Sequence, residues 1–163
     1  MALEQDEIRE ILPHRGPALL IERVVALEPG VRALGTRLIH ADDPFLEGHF
    51  PGQPVVPGAI IIEMMAQMAG VLTMRTLPEH MRAEGVALLG LDRARFRHPV
   101  FPGSEIAVEI AILQRRDPIW RFEAVATVGG VRVADATLLA GLTSADASKR
   151  GLSAHRTGIG RKG

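Results

Sequence analysis

Apolar and polar positions change period three times along the chain, and each change marks an element. Between Glu4 and Leu12 the apolar residues Ile8, Ile11 and Leu12 recur at helical spacing among charges, and Pro13 ends the run, so a short helix is predicted. Ala18 to Leu27 is rich in branched residues and passes through the turn residues Glu28-Pro29-Gly30 into Val31 to His40, the pattern of an antiparallel hairpin. A loop from Ala41 to Pro57 follows. Ala59 to Arg75 is then apolar nearly all round, which predicts a helix covered on every side.

From Val86 onward the period falls to two. Four strands are expected, Val86–Val100, Glu105–Arg115, Ile119–Val128 and Val131–Leu142, broken at Pro102-Gly103, Asp117-Pro118 and Gly129-Gly130. A mostly antiparallel meander with one long apolar helix between its second and third strands predicts an α+β domain whose sheet curls around that helix. Residues 1–143 read as a single domain.

Composition narrows the chemistry. The 163 residues are 47% hydrophobic and include no cysteine, which removes disulfides, thiolate metal sites and a cysteine nucleophile. The acidic start, with Glu4, Asp6, Glu7 and Glu10, is unlike a signal peptide, and Glu63 and Gln67 interrupt the longest apolar run, so a cytoplasmic protein without a membrane span is expected. Net charge is zero but uneven. Residues 144–163 carry five cations against one acid, a net of +4, which leaves −4 over residues 1–143. That basic, glycine-containing tail is expected to be disordered.

Candidate chemistry concentrates between His49 and Glu63. Pro57-Gly58 places a helix start where the first backbone N–H groups lack intrahelical partners, a position able to stabilise an acyl oxygen as it gains negative charge. Glu63 lies about one and a half turns further on, with Gln67 at i+4 to hydrogen-bond it and Gly70 at i+7 leaving room. Burial among Ile60, Ile62 and Met64 is expected to favour the protonated acid, suited to proton donation, while His49 in the preceding loop suits a general base. His40, Asp42, Asp43, Glu47 and His49 also crowd together, but their spacing matches no metal-ligand motif and Asp42-Asp43-Pro44 is ordinary turn chemistry. No metal or cofactor is expected, and no phosphate loop or dinucleotide fingerprint is present.

Further along, Arg93, Arg95 and Arg97 alternate with Ala94 and Phe96, which in a strand puts three guanidinium groups on one face. Such a row suits an acidic partner or a phosphate, and equally a plain solvated face. His14 beside Arg15 is expected to order a loop. The methionines Met64, Met65, Met68 and Met74 are expected to pack the long helix, and Trp120 to pack on the sheet.

The run His49-Phe50-Pro51-Gly52-Gln53-Pro54-Val55-Val56-Pro57-Gly58, followed by Ile61-Ile62-Glu63-Met64-Met65-Ala66-Gln67, resembles the signature of bacterial (3R)-3-hydroxyacyl-acyl carrier protein dehydratases of type II fatty acid synthesis. The likeness extends to Leu12-Pro13-His14-Arg15, Leu19–Arg23 and Ala94–Gly103. It implies the hotdog fold and dehydration to the trans-2-enoyl thioester. Its implied roles give His49 the C2 proton, Glu63 the proton for the departing C3 hydroxyl, Gly58 the thioester carbonyl and Gln67 the steadying of Glu63. A homodimer pairing His49 of one chain with Glu63 of the other is implied, often assembled as a trimer of dimers. The partner is acyl carrier protein bearing a phosphopantetheine-linked chain, not nucleic acid, and the arginine row is a candidate docking face. Glutamate on the helix, where aspartate is typical of the isomerising relative, points to dehydration alone. No tyrosine is present to gate an acyl tunnel, and Phe101 is placed in a similar region. The alternatives are a hotdog thioesterase, using Glu63 to activate water, and a non-catalytic acyl-binding subunit.

Overall fold

The computed structural model of the chain describes residues 1–82 and 85–143. Helix α1 spans Gln5–Ile11, and strands β1 (Arg23–Glu28) and β2 (Arg32–Leu38) form the expected hairpin. Helix α2 runs from Gly58 to Thr76, within a residue of the predicted bounds. Strands β3 (Gly85–Phe96), β4 (Glu105–Arg116), β5 (Ile119–Val128) and β6 (Val131–Thr143) complete the domain. The basic tail and His155 lie outside the described residues.

All neighbouring strands pair antiparallel in the order β1-β2-β4-β5-β6-β3. This corrects the meander: β3 does not sit between β2 and β4 but pairs with β6 at the far edge. The chain leaves β2, crosses the concave face as α2 and enters the sheet on its other side. β4, β5 and β6 turn alternate residues inward, among them Ile106, Val108, Ile110, Trp120, Phe122, Ala124, Ala134, Ala136 and Leu138, all buried. The small alanines on β5 and β6 let the sheet close around a helix whose Met64, Met65, Met68 and Leu72 are fully buried. Among the described residues, no helix is long and apolar enough to cross a membrane.

Two further expectations change. Residues 18–22 are not strand: Gly16–Ala18 forms a single 3-10 turn, and Leu19 to Ile21 run extended and buried without joining a ladder. The helix is also not covered on every side. Ala59 is exposed and Ile60, Ile62, Glu63 and Ala66 are only half-buried, an open stripe along its N-terminal half. β3 repeats this feature, because Leu88 and Leu91 pair across from the inward-facing Ala140 and Leu138 yet are 42% and 43% exposed.

Candidate active site

The loop that carries His49 is fixed from inside the domain. Arg37 on β2 forms a buried ion pair with Asp43, whose other carboxylate oxygen accepts the His40 N–H at 2.9 Å. The Arg37 guanidinium also faces the carbonyls of Leu19 and Leu20 and lies 5.6 Å from the Phe45 ring centre. Asp43 is thus turned inward, away from the other acids of its turn. Beyond it, Phe50 and Gln53 exchange backbone hydrogen bonds at 3.0 Å, closing a tight turn over Pro51-Gly52.

His49 is half-buried and stacks on Phe50 with ring centres 4.3 Å apart, across a cis His49–Phe50 peptide. Its Nδ1 donates to the Val55 carbonyl at 2.7 Å. A carbonyl only accepts, so in the neutral ring Nδ1 carries the hydrogen and Nε2 is left as the basic nitrogen. His49 lines a groove with Val55, Gly58, Ile61, Phe96 and His98.

Pro57 is the N-cap of α2, so the N–H groups of Gly58 and Ala59 precede the first turn's hydrogen bonds and lie in the positive field of the helix start. Gly58 lets the Phe96 ring lie close against the helix start. A Cβ there would stand 2.8 Å from two carbons of the Phe96 ring, which covers the helix start while remaining 54% exposed. Sequence alternation puts Phe96 on the strand face opposite the arginines. Its position over Gly58 emerges only when β3 reaches the far edge.

Glu63 is held, as expected, by Gln67, whose Nε2 donates to Glu63 Oε1 at 2.9 Å. Gln67 is itself 1% exposed and fully engaged: its Oε1 accepts the Leu20 N–H at 2.9 Å and its Nε2 also donates to the Ala18 carbonyl at 2.7 Å. The expected burial of Glu63 is corrected. Its side chain is 42% exposed, because the open stripe of α2 that it shares with Ile60 and Ile62 is left uncovered.

His14, read from sequence as a loop-ordering residue, has its Nε2 3.2 Å from Glu63 Oε1. No local signal marks this, since 49 residues separate the two; the contact arises where the end of α1 crosses α2. Within one chain His49 faces the Gly58 and Phe96 groove, whereas His14 and Gln67 line another cavity with Gly70, Gly85 and Val86.

The arginine row is rearranged. The β3–β6 register shifts between Asp92 and Arg95, and Arg93 takes a left-handed backbone with φ of 53°, so the simple alternation fails there. All three arginines are exposed, but Arg97 donates its Nε to Asp135 at 2.6 Å, which raises its own pKa and lowers that of Asp135. Phe101 is half-exposed. The methionines of α2 and Trp120 are buried as expected, and Trp120 adds a hydrogen bond from Nε1 to Asp117 at 2.6 Å.

Residues 12–137 match the family model described as a FabA-like domain. The chain is 40% identical over 138 residues to the 3-hydroxyacyl-[acyl-carrier-protein] dehydratase FabZ of Geotalea uraniireducens, covering 85% of this chain and 95% of that relative. It is 45% identical to the enzyme of the same name from Acidiphilium cryptum, over 82% of this chain and 81% of the other. Among solved structures, the dehydratase heterocomplex ApeI:P of Xenorhabdus doucetiae superimposes with a TM-score of 0.76 at 22% identity, covering 89% of this chain and 96% of that one, a likeness of fold.

Proposed function

The chain belongs to the family of FabA-like domains, and on that premise we propose that His49 and Glu63 are the base and acid of its reaction. That reaction is the dehydration of 3-hydroxyacyl-acyl carrier protein in fatty acid synthesis, a hydro-lyase activity. The observation that carries the assignment is complementary: His49 presents a free Nε2 because Val55 holds its Nδ1–H, and Glu63 presents a half-exposed carboxyl oriented by Gln67.

His49 Nε2 takes the C2 proton of the thioester, and the electron pair of that C–H bond becomes the C2–C3 double bond. The C3–O bond breaks as Glu63 gives its proton to the hydroxyl, which leaves as water. Enolate charge gathering on the thioester oxygen is met by the Gly58 N–H at the positive end of α2. Proton transfer from each positioned group contributes on the order of 10²- to 10⁴-fold.

His49 lines one groove, while Gln67 and His14, the residues beside Glu63, line another cavity, and this supports a homodimer in which His49 of one chain works with Glu63 of the other. The open stripe of α2 and the exposed Leu88 and Leu91 on edge strand β3, which has a neighbour on one side only, are the surfaces a second copy would cover. Such dimers assembling in threes is the larger form proposed. The acyl carrier protein is the substrate's carrier; Arg93 and Arg95, with Arg97 partly neutralised by Asp135, are proposed as its docking face. The cytoplasm is the proposed compartment.

His49→Ala and Glu63→Gln are the direct test. Each should lower hydration of a crotonyl thioester by about 10²-fold or more with the oligomer intact. Retained activity in both overturns the acid and base assignment, and release of free thiol would instead identify a thioesterase.

A further inference from the structure

Gln67 leaves little freedom to Glu63. The Leu20 N–H fixes which end of the Gln67 amide is the acceptor, so the Nε2 group must face Glu63 and donate to Oε1. His14 Nε2 approaches that same oxygen at 3.2 Å. The other ring nitrogen, Nδ1, is buried with no hydrogen-bond partner among the described residues. A buried N–H with no acceptor is costlier than a bare lone pair, so the neutral ring places its hydrogen on Nε2, the nitrogen 3.2 Å from Glu63 Oε1, although that N–H is not lined up for a hydrogen bond in the free chain; catalytic hydrogen bonds commonly come into line only with substrate bound.

The approach of His14 is built into the fold rather than left to a mobile loop. Leu12 is buried against α2 at Gly70, where an added Cβ would lie 3.1 Å from Leu12 Cδ2. The Arg15 guanidinium then binds the carbonyls of both Leu12 and His14 at 2.7 Å, fixing the backbone on either side of the imidazole.

We propose that His14 is a positioning residue which, together with Gln67, holds Glu63 Oε1 as a double acceptor, so that the proton delivered to the departing hydroxyl is carried on Oε2. This rests on the reading of Glu63 as the acid. A proton on Oε1 would face the Gln67 N–H that already donates there and the His14 ring nitrogen 3.2 Å away, whereas on Oε2 it is free to face the substrate. As the Oε2–H bond breaks and the new O–H bond of water forms, the carboxylate left behind keeps the Gln67 donor on Oε1 and draws the nearby His14 N–H into line. Those donors strengthen as charge develops, so they act on the chemical step more than on substrate binding.

The test compares His14→Met and His14→Gln in hydration of the N-acetylcysteamine thioester of crotonate, with Glu63→Gln as control and Tm recorded for each. His14→Met should lower kcat about 10- to 100-fold with KM changed by less than about threefold, the loss of one hydrogen bond to a developing charge. His14→Gln, whose amide can donate to Oε1, should recover most of the rate. In a Glu63→Gln background, His14→Met should add no further loss. Nitrogen-15 NMR of the wild-type imidazole supplies a readout independent of any variant's folding, and the Nε2–H tautomer is expected for His14. Full kcat in His14→Met, a His14→Gln variant as slow as His14→Met, or an Nδ1–H tautomer overturns the proposal. If Glu63→Gln keeps its activity, the acid assignment itself falls; if only the His14 variants behave as wild type, the positioning role alone falls.

Discussion

The Leu20 backbone N–H donates to Gln67 Oε1 across 47 residues of sequence, and this bond decides the orientation of the amide that holds Glu63. The segment at Leu20 carries no strand ladder, so the helix side chain takes the hydrogen bond that a neighbouring strand would otherwise supply.

Gln67→Leu should therefore act on stability and on catalysis together. It strands the buried Leu20 N–H, at a cost of about 1–3 kcal/mol for a buried unsatisfied group, removes the bond to the Ala18 carbonyl, and releases Glu63. A lower urea midpoint with a kcat reduced about tenfold is expected, and wild-type kinetics would separate Gln67 from the acid.

The Arg37–Asp43 pair ties β2 to the loop leading to His49. Asp43→Ala leaves the buried guanidinium without its counter-charge and the His40 N–H without its acceptor. Breaking such a pair costs about 3–5 kcal/mol, so the expected result is a large loss of denaturant resistance. An unchanged midpoint would show that the loop is anchored elsewhere.

Acid should weaken the outer face of the sheet. The Arg115 guanidinium, followed by the Trp120 indole, holds Asp117 below its ordinary 3.8, and the Arg97 guanidinium does the same for Asp135. A carboxyl whose pKa is lower folded than unfolded adds stability above the unfolded value and loses it as pH falls through the folded one. Below 3.8 the melting temperature should drop, and less steeply in Asp117→Asn or Asp135→Asn than in the wild type.

Edge strand β3 gives a test of assembly. Leu88→Glu combined with Leu91→Glu puts two charges on an exposed apolar face of this edge strand. Native mass should shift to the monomer, and activity should vanish with it if base and acid come from different chains. A fully active monomer would place both within one chain.

Gly58→Ala tests the close approach at the helix start. The new methyl displaces the exposed Phe96 ring from above the Gly58 N–H, and a several-fold change in KM or kcat with little change in Tm is expected. Identical kinetics would remove Phe96 from the site.

The sequence by itself determined the elements and the local half of the site. Pro57-Gly58 starts α2, the long and mostly apolar run sets its length, and helical spacing puts Gln67 on the same face as Glu63. Turn residues likewise bound β4, β5 and β6. These features are legible because they depend on neighbours within one turn of helix or one hairpin. Tertiary structure decided the rest: that β3 crosses to the far edge, that Ala18 and Leu20 bond to Gln67 instead of a strand, and that His14 reaches Glu63. It also left Glu63 half-exposed, where the apolar pattern had buried it. Periodicity says which face of a helix is apolar, but what covers that face depends on where distant strands are carried, and for the open stripe of α2 that means surfaces beyond the single chain.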